Sequence, residues 1–257
     1  MYHTKQTQLM PLISNNQIKF IKSLSDKKFR DEHGLFVVEG EKMVAEALSS
    51  RFKVEEVYRR EEIGEDVMKR ISSLSSPSPV LALVRRPDDL AISSLRPQKG
   101  LYLALDSIRD PGNMGTIIRL ADWFGIDGIF ATPDSVDIFN PKVVQSTMGA
   151  IFRVSFHYAD ICGIADSMKA CGGKVYGTFL DGGVIHSKDL ELGDGSPVMI
   201  VIGNESRGIS DAMASRVTDR LYIPPYPQDQ PGSESLNAAI ATAVTVYEFR
   251  RRLMDGQ

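Results

Sequence analysis

The segment Pro197–Gly203 is almost wholly apolar and reads Pro-Val-Met-Ile-Val-Ile-Gly. A strand that is apolar on both faces is typical of a parallel β-sheet with helices on either side. Short strand patterns alternate with helical patterns over most of the chain, as in Glu41–Leu48 and Val80–Val84. We therefore predict an α/β fold in which Pro197–Gly203 is a buried strand of a parallel sheet.

The alternation is interrupted over residues 85–100, which contain two prolines, two adjacent aspartates and no strong periodicity. This composition is typical of a linker. We therefore divide the chain at Pro97 into a smaller α/β domain, residues 1–97, and a larger one, residues 98–257. In the smaller domain the pattern predicts a single helix over 14–29 and another over 61–73.

Composition excludes several classes of protein. Of the 257 residues, 42% are hydrophobic and 25% are charged, which excludes a disordered chain and a coiled coil. The longest apolar runs are far shorter than the roughly 20 residues of a membrane-spanning helix. The two cysteines form no disulfide framework, and the first residues lack the apolar core of a signal peptide, so we expect a cytoplasmic protein. The four histidines show no metal-ligand spacing, so no metal is expected.

The net charge of −3 conceals an uneven distribution, because the first 30 residues carry six basic residues and one acidic residue. Positive charge concentrated near one end suits a polyanionic partner such as RNA. On composition alone an ordinary solvated helix face is the simpler explanation. The candidate RNA contacts are Lys19, Lys22, Lys27, Lys28 and Arg30.

Three polar loops follow predicted strands, where parallel sheets place their ligand sites. The first reads Asp-Pro-Gly-Asn-Met-Gly from Asp110 and leads into a helix that carries Arg119. The second places Glu205 directly behind the buried strand, and the third places Ser235 and Asn237 before an alanine-rich helix. Each loop alone is also explained as a capped strand–helix connection, with Asn113, Ser210 and Ser235 or Asn237 as possible caps. The chain has no GxSxG nucleophile elbow and no GxGxxG dinucleotide motif.

Taken together, DPGNMGTIIRLADWFG, VIGNESRG and IPP…SESLNAAIATAV resemble the three motifs of the SpoU (TrmH-like) family of RNA ribose 2′-O-methyltransferases, within the SPOUT superfamily. The resemblance covers about residues 101–252. Residues 14–84, which include FVVEGEKMVAEAL, resemble the L30e-like substrate-binding domain that often precedes such a catalytic domain. The resemblance implies a parallel sheet with a C-terminal trefoil knot, S-adenosylmethionine as cofactor, and a homodimer with its site near the subunit interface.

The resemblance also implies roles for individual residues. The backbone around Gly203, Ile223 and Leu236 would hold S-adenosylmethionine, with Thr178 as a further candidate. The polar catalytic positions are matched by Asn113, Arg119, Glu205, Ser235 and Asn237.

Arg119 is expected to bind the RNA phosphate beside the target ribose, and Glu205 is expected to orient Arg119. The loop between Ile223 and Leu236 is longer than is usual in the family, so Ser233 is an alternative to Ser235.

The resulting hypothesis is an S-adenosylmethionine-dependent methyltransferase that acts on a ribose 2′-hydroxyl, with ribosomal RNA preferred to transfer RNA because of the N-terminal domain. Three alternatives remain: a transfer RNA 2′-O-methyltransferase, a SPOUT-type base methyltransferase, and a catalytically idle RNA-binding protein that serves in assembly. No membrane partner and no metal are expected.

Overall fold

A computed structural model describes residues 13–90, 92, 98–186, 190, 192, 195–227 and 234–255 of the chain. The described residues group into two compact units. One consists of the residues up to Arg86 together with Phe139–Gln145, and the other contains the rest of the chain. The predicted boundary at Pro97 lies outside the described residues, and the division of function between two domains stays a prediction.

The N-terminal unit has helices on a three-stranded antiparallel sheet of order β1-β3-β2. Its strands are β1 (Leu35–Glu39), β2 (Val54–Arg59) and β3 (Val80–Arg85). Its helices are α1 (Asn15–Ser23), α2 (Lys27–His33), α3 (Glu41–Leu48), α4 (Arg60–Ile63) and α5 (Glu65–Ile71). The apolar face of α1, with Ile18 and Ile21, is buried in the core of this unit as its spacing predicts.

Both long helices predicted in this unit are interrupted. The predicted helix over 14–29 ends after Ser23, and Asp26 starts α2 by accepting a hydrogen bond from the backbone N–H of Lys28. The predicted helix over 61–73 is divided at Gly64, whose φ of 85° is incompatible with a right-handed helix. In each case a local capping preference outweighs the longer helical pattern.

The interruption corrects the prediction that Arg30 contacts RNA. Arg30 is only 2% exposed, and its Nη1 donates hydrogen bonds to the backbone oxygens of Leu24 and Ser25 at 2.8 and 2.7 Å. In one continuous helix these two carbonyls would be bonded within the helix. At the end of α1 they need other donors, and the Arg30 guanidinium supplies them. Lys19, Lys22, Lys27 and Lys28 are exposed, and Lys27 forms an ion pair with Asp31.

The C-terminal unit contains a seven-stranded sheet of order β6-β5-β4-β9-β7-β10-β8, in which every pair is parallel. The strands are β4 (Gly100–Leu105), β5 (Gly128–Ala131), β6 (Phe156–Tyr158), β7 (Lys174–Phe179), β8 (Gly183–Val184), β9 (Pro197–Ile202) and β10 (Asp219–Tyr222). The predicted parallel α/β fold is therefore confirmed. The apolar segment forms β9, which lies between β4 and β7 with all six residues buried. The predicted knot stays a prediction.

The remaining helices, in chain order, are α6 (Pro111–Trp123), α7 (Pro141–Thr147), α8 (Ile161–Ala170), α9 (Asp211–Ala214) and α10 (Ala238–Asp255). Most of α7 belongs to the N-terminal unit, and the others belong to the C-terminal unit. Helix α6 begins at Pro111, which occupies its first turn, and Asp110 caps it. Asn113 therefore lies inside the helix and is not its cap. No helix in the described part of the chain is long and apolar enough to cross a membrane.

Candidate active site

The three motif loops lie at the carboxyl ends of β4, β9 and β10. The second and third loops, together with the end of β7, line a cavity of about 580 Å³ in the C-terminal unit, whereas no residue of the first loop lines it. All four residues predicted to bind the cofactor line this cavity: Thr178, Gly203, Ile223 and Leu236. Its volume lies within the usual range for small-molecule sites. The structure therefore brings together, around one cavity, positions that are up to 58 residues apart in the sequence.

Gly203 is required by the close approach of two backbone segments at the cavity. A Cβ atom on Gly203 would lie 2.3 Å from the backbone carbon of Gly208 and from the backbone nitrogen of Ile209. The N–H and C=O groups of Asn204 and Gly208 bond reciprocally at 2.9 Å, which closes the second motif into a tight loop. Any side chain at position 203 would push this loop away from β9.

A chain of three polar side chains links the motifs. The Nδ2 atom of Asn237 donates to Oδ1 of Asn113 at 2.7 Å, and Nδ2 of Asn113 donates to Oε1 of Glu205 at 3.1 Å. The Oδ1 atom of Asn237 also accepts hydrogen bonds from the backbone N–H groups of Ala239 and Ile240. Of the two caps considered for this helix, Ser235 and Asn237, it is therefore Asn237 that caps α10. One residue from each motif thus takes part in a single hydrogen-bonded chain, although the motifs are separated by up to 124 residues.

Glu205 is the acceptor at the end of this chain, and it also fixes the first motif. Its carboxylate accepts from the backbone N–H groups of Arg109 and Asp110 and from the side chains of Asn113 and Asn204, at 3.1–3.3 Å. Partial burial opposes ionisation, but the hydrogen bonds from Asn113 and from the backbone hold the pKa of Glu205 below its usual range. Glu205 is therefore a carboxylate at neutral pH.

Arg119 lies elsewhere than expected. It is exposed on α6, does not line the cavity, and forms no hydrogen bond or ion pair with any described residue. The expectation that Glu205 orients Arg119 is therefore wrong within this chain, because the donors that reach Glu205 come from the start of α6 and from Asn204. Arg119 is one turn before Trp123, which is 84% exposed on the same helix.

Ser235 lines the cavity next to Leu236, which is consistent with its predicted place in the site. The alternative, Ser233, lies outside the described residues. Among the described residues no group of three or more His, Cys, Asp and Glu side chains is arranged to hold a metal ion. The expectation that the protein needs no metal stays a prediction.

Two features of the site have no counterpart in the sequence prediction. Asn204 accepts hydrogen bonds through Oδ1 from the N–H groups of Ser206 and Arg207, which fixes the second motif from within; an Asn directly after a strand-ending Gly is a signal for such a turn. The second feature is a wall of the cavity where the Arg220 guanidinium stacks at 3.5 Å from the centre of the Phe179 ring and pairs with Asp181. These residues come from different strands, and no spacing in the sequence indicates their contact.

Comparison with known proteins identifies the family. The model of the SpoU rRNA Methylase family matches residues 100–247, and the model of the MRM3-like substrate binding domain matches residues 15–66. The chain belongs to the SpoU rRNA methylase family. The assignment made from the three motifs is therefore confirmed, as are the class of enzyme, an RNA methyltransferase, and the presence of an N-terminal substrate-binding domain.

Individual relatives of this SpoU-family chain match it over nearly its whole length. The 23S rRNA (guanosine(2553)-2′-O)-methyltransferase RlmP of Bacillus subtilis is 31% identical over 251 residues, covering 92% of this chain and 96% of that protein. A solved structure of a TrmH-family protein from Porphyromonas gingivalis is 37% identical with a TM-score of 0.80, over 94% of this chain and 100% of that one. The AdoMet-bound structure of an rRNA methyltransferase from Sinorhizobium meliloti is 30% identical with a TM-score of 0.81, covering 94% and 96%.

Proposed function

We propose that this protein transfers the methyl group of S-adenosylmethionine to a ribose 2′-hydroxyl of ribosomal RNA. The observation that carries the proposal is the hydrogen-bonded chain from Asn237 through Asn113 to Glu205, which joins all three motifs beside one cavity. The named relatives support ribosomal RNA as the substrate, since RlmP is a 23S rRNA 2′-O-methyltransferase.

The lining of the cavity suits S-adenosylmethionine in its apolar surface and in its charge. The absence of a side chain at Gly203 keeps the second motif close to β9, and Ile223 and Leu236 offer apolar surface. Glu234 also lines the cavity, is exposed, and forms no ion pair with any described residue, so its carboxylate is available to a cationic ligand. When bound, S-adenosylmethionine supplies an activated methyl group on a positively charged sulfur.

Methyl transfer then requires an oriented 2′-hydroxyl. The 2′-oxygen forms a bond to the methyl carbon while the carbon–sulfur bond breaks, and the hydroxyl proton passes to an acceptor such as a neighbouring RNA phosphate. Arg119 acts by binding the phosphate beside the target ribose through its guanidinium donors. Asn113, Asn237 and Ser235 shape the ribose site, and the ionised Glu205 holds the first two of these in register.

The active form is a homodimer. Helices α6 and α10 pack against each other, and together they expose large apolar side chains, namely Trp123, Ile240, Val244 and Tyr247. Trp123 is 84% exposed and Tyr247 is 56% exposed, which is costly for an isolated chain. Arg119 lies on the same part of α6 and does not line the cavity of its own chain. A second copy that covers this face would place Arg119 at the active site of that copy.

The exposed lysines of α1 and α2 are proposed to bind RNA through its phosphates. Lys19, Lys22 and Lys28 form no ion pair with any described residue, whereas Lys27 pairs with Asp31. Phosphate contacts position an RNA without reading its sequence, so this surface supplies affinity and register. The cytoplasm is the proposed location, which is consistent with two free cysteines.

The decisive experiment incubates the purified protein with labelled S-adenosylmethionine and unmodified ribosomal RNA or transfer RNA, followed by nucleoside mass spectrometry. The expected product is a 2′-O-methylated nucleoside in ribosomal RNA that is absent with Arg119→Ala. A methylated base, or a product in transfer RNA only, would establish one of the alternative enzymes. No product with either RNA, together with no binding of S-adenosylmethionine in calorimetry, would establish an idle RNA-binding protein.

A further inference from the structure

The second motif contains a positively charged residue, Arg207, that takes no part in the hydrogen-bonded chain of the active site. Arg207 lines the cofactor cavity, is exposed, and its guanidinium forms no hydrogen bond or ion pair within the described part of the chain. It lies two residues after Glu205 and one residue before Gly208.

The backbone at Arg207 is held in place, so the position of its side chain at the rim is built into the loop. The reciprocal bonds between Asn204 and Gly208 close the loop at its base, at 2.9 Å each. Within it, Oδ1 of Asn204 accepts from the N–H of Arg207 at 3.1 Å and from the N–H of Ser206 at 3.0 Å. A charged group on a preorganised loop loses less conformational entropy when it binds a ligand.

The charges around the cavity leave Arg207 without a partner of opposite sign. The carboxylate of Glu205 is engaged by donors from the first motif and by Asn204, and Asp181 pairs with Arg220. Glu234 lines the same cavity, but no ion pair joins it to Arg207. Among the residues that the structure describes, Arg207 and Glu234 are therefore the unpaired charges of opposite sign at this cavity.

The charge of the cofactor argues that Arg207 serves another ligand. S-adenosylmethionine carries a sulfonium, an ammonium and one carboxylate, so its net charge is positive, and a nearby guanidinium lowers its affinity. Glu234 suits this cation, whereas Arg207 opposes it. A cation kept unpaired at the mouth of a site for a cationic cofactor is explained if the second substrate is an anion.

We propose that Arg207 binds a backbone phosphate of the RNA at the mouth of the cofactor cavity and positions the strand for methyl transfer. This inference rests on the proposed transfer to RNA. Arg207 is a positioning residue, because it acts on the phosphate and not on the reacting atoms. Its rigid fork of donors suits the planar, bidentate recognition of a phosphate.

The test measures RNA affinity by filter binding to in vitro transcribed 23S rRNA over a range of salt concentrations. One phosphate contact contributes about 0.7–0.9 to the slope of log affinity against log salt. For Arg207→Ala we therefore expect a slope smaller by about 0.7–0.9 and an affinity reduced about 5- to 8-fold at 0.1 M salt. Arg207→Lys keeps the charge and is expected to retain the wild-type slope.

The matched control is Arg216→Ala, because Arg216 is a half-buried arginine of the same unit that pairs with Asp166 and does not line the cavity. The slope of the control is expected to equal that of the wild type. The dissociation constant of S-adenosylmethionine, measured by calorimetry, is expected to stay unchanged or to fall slightly in Arg207→Ala. An unchanged salt slope in Arg207→Ala would overturn the proposal.

Weaker cofactor binding without weaker RNA binding would also overturn it, and would assign Arg207 to the cofactor carboxylate. Filter binding requires no turnover. The two possible failures can therefore be told apart. If the protein methylates ribosomal RNA but Arg207→Ala binds RNA as the wild type does, only the role of Arg207 is wrong. If the protein binds RNA but does not methylate it, the proposed function is wrong.

Discussion

The carboxylate of Glu205 is the group on which the three motifs converge, and Glu205→Gln isolates the contribution of its charge at nearly constant volume. Oε1 accepts hydrogen bonds from the N–H of Asp110 and from Nδ2 of Asn113. Oε2 accepts hydrogen bonds from the N–H of Arg109 and from Nδ2 of Asn204. A glutamine presents one oxygen and one NH₂ group. In either orientation two of these four donors lose their acceptor and face a donor instead.

The expected cost follows from these contacts. A hydrogen bond to a charged group contributes about 1.5–3 kcal/mol. The bonds are 3.1–3.3 Å long and Glu205 is only half-buried, so the lower part of this range applies. Two lost bonds then lower the free energy of unfolding by about 3–4 kcal/mol. For a chain of this size that corresponds to a melting temperature lower by about 6–16 °C.

The assay combines calorimetric melting with the steady-state kinetics of methyl transfer. The Glu205→Gln protein is expected to melt earlier and to lose at least about tenfold in kcat/KM, because the ribose site formed by Asn113 and Asn237 loses its anchor. Bound S-adenosylmethionine is expected to raise the melting temperature of the variant, which shows that it is folded. Glu234→Gln is the control, since Glu234 lines the same cavity without these contacts, and its melting temperature is expected to be that of the wild type. A Glu205→Gln protein with wild-type melting temperature and wild-type kcat/KM would refute the reasoning.

Four further predictions concern Glu205, Arg30, Gly203 and Arg119. The pKa of Glu205 in the folded protein is below its usual value of 4.5, so ionised Glu205 stabilises the fold fully above pH 4.5 and loses this effect as the pH falls through the folded-state pKa. The difference in melting temperature between the wild type and Glu205→Gln should therefore shrink below pH 4.5. Arg30→Met should lower the free energy of unfolding in urea by about 2–4 kcal/mol, whereas Lys28→Ala should leave it unchanged and weaken RNA binding; equal stability of the two variants would contradict the structural role of Arg30. Gly203→Ala should weaken the binding of S-adenosylmethionine at least about tenfold in calorimetry, while Gly163→Ala, on α8, should not. Equal affinities would contradict the steric conflict expected between a Cβ at position 203 and the backbone of Gly208 and Ile209. Arg119→Ala mixed with Asn237→Ala should recover up to about a quarter of wild-type activity through dimers that hold one intact site, and no recovery would place Arg119 in its own site.

The sequence predicted the core of the catalytic unit because its information is local there. An apolar run such as β9 has few ways to be buried except between strands, and it lies in the middle of the parallel sheet as expected. The order of three motifs identified the family, and three positions in these motifs that were expected to bind the cofactor, Gly203, Ile223 and Leu236, line one cavity together with the further candidate Thr178. The two-residue strand β8 was not predicted, because so short a segment has no periodicity.

The sequence did not predict contacts that depend on where a helix ends or on a partner that is distant along the chain. Arg30 shares its charge with the neighbouring lysines, and only the end of α1 after Ser23 leaves carbonyls that its guanidinium can satisfy. Arg119 and Glu205 were expected to meet because both belong to the polar motifs. They are separate because Arg119 lies on an exposed face of α6 that does not line the cavity, and the spacing between the motifs does not predict this. The stack of Arg220 on Phe179 depends likewise on the register of two neighbouring strands.

Nucleoside mass spectrometry of ribosomal RNA tests the central claim most directly. The RNA is taken from cells that lack the gene, from the same cells after complementation with the wild type, and from cells complemented with Arg119→Ala. The account predicts a single 2′-O-methylated nucleotide that is missing without the gene, restored by the wild type and not restored by the variant. Ribosomal RNA with the same 2′-O-methylation in all three samples, or with a difference confined to a base methyl group, would contradict it.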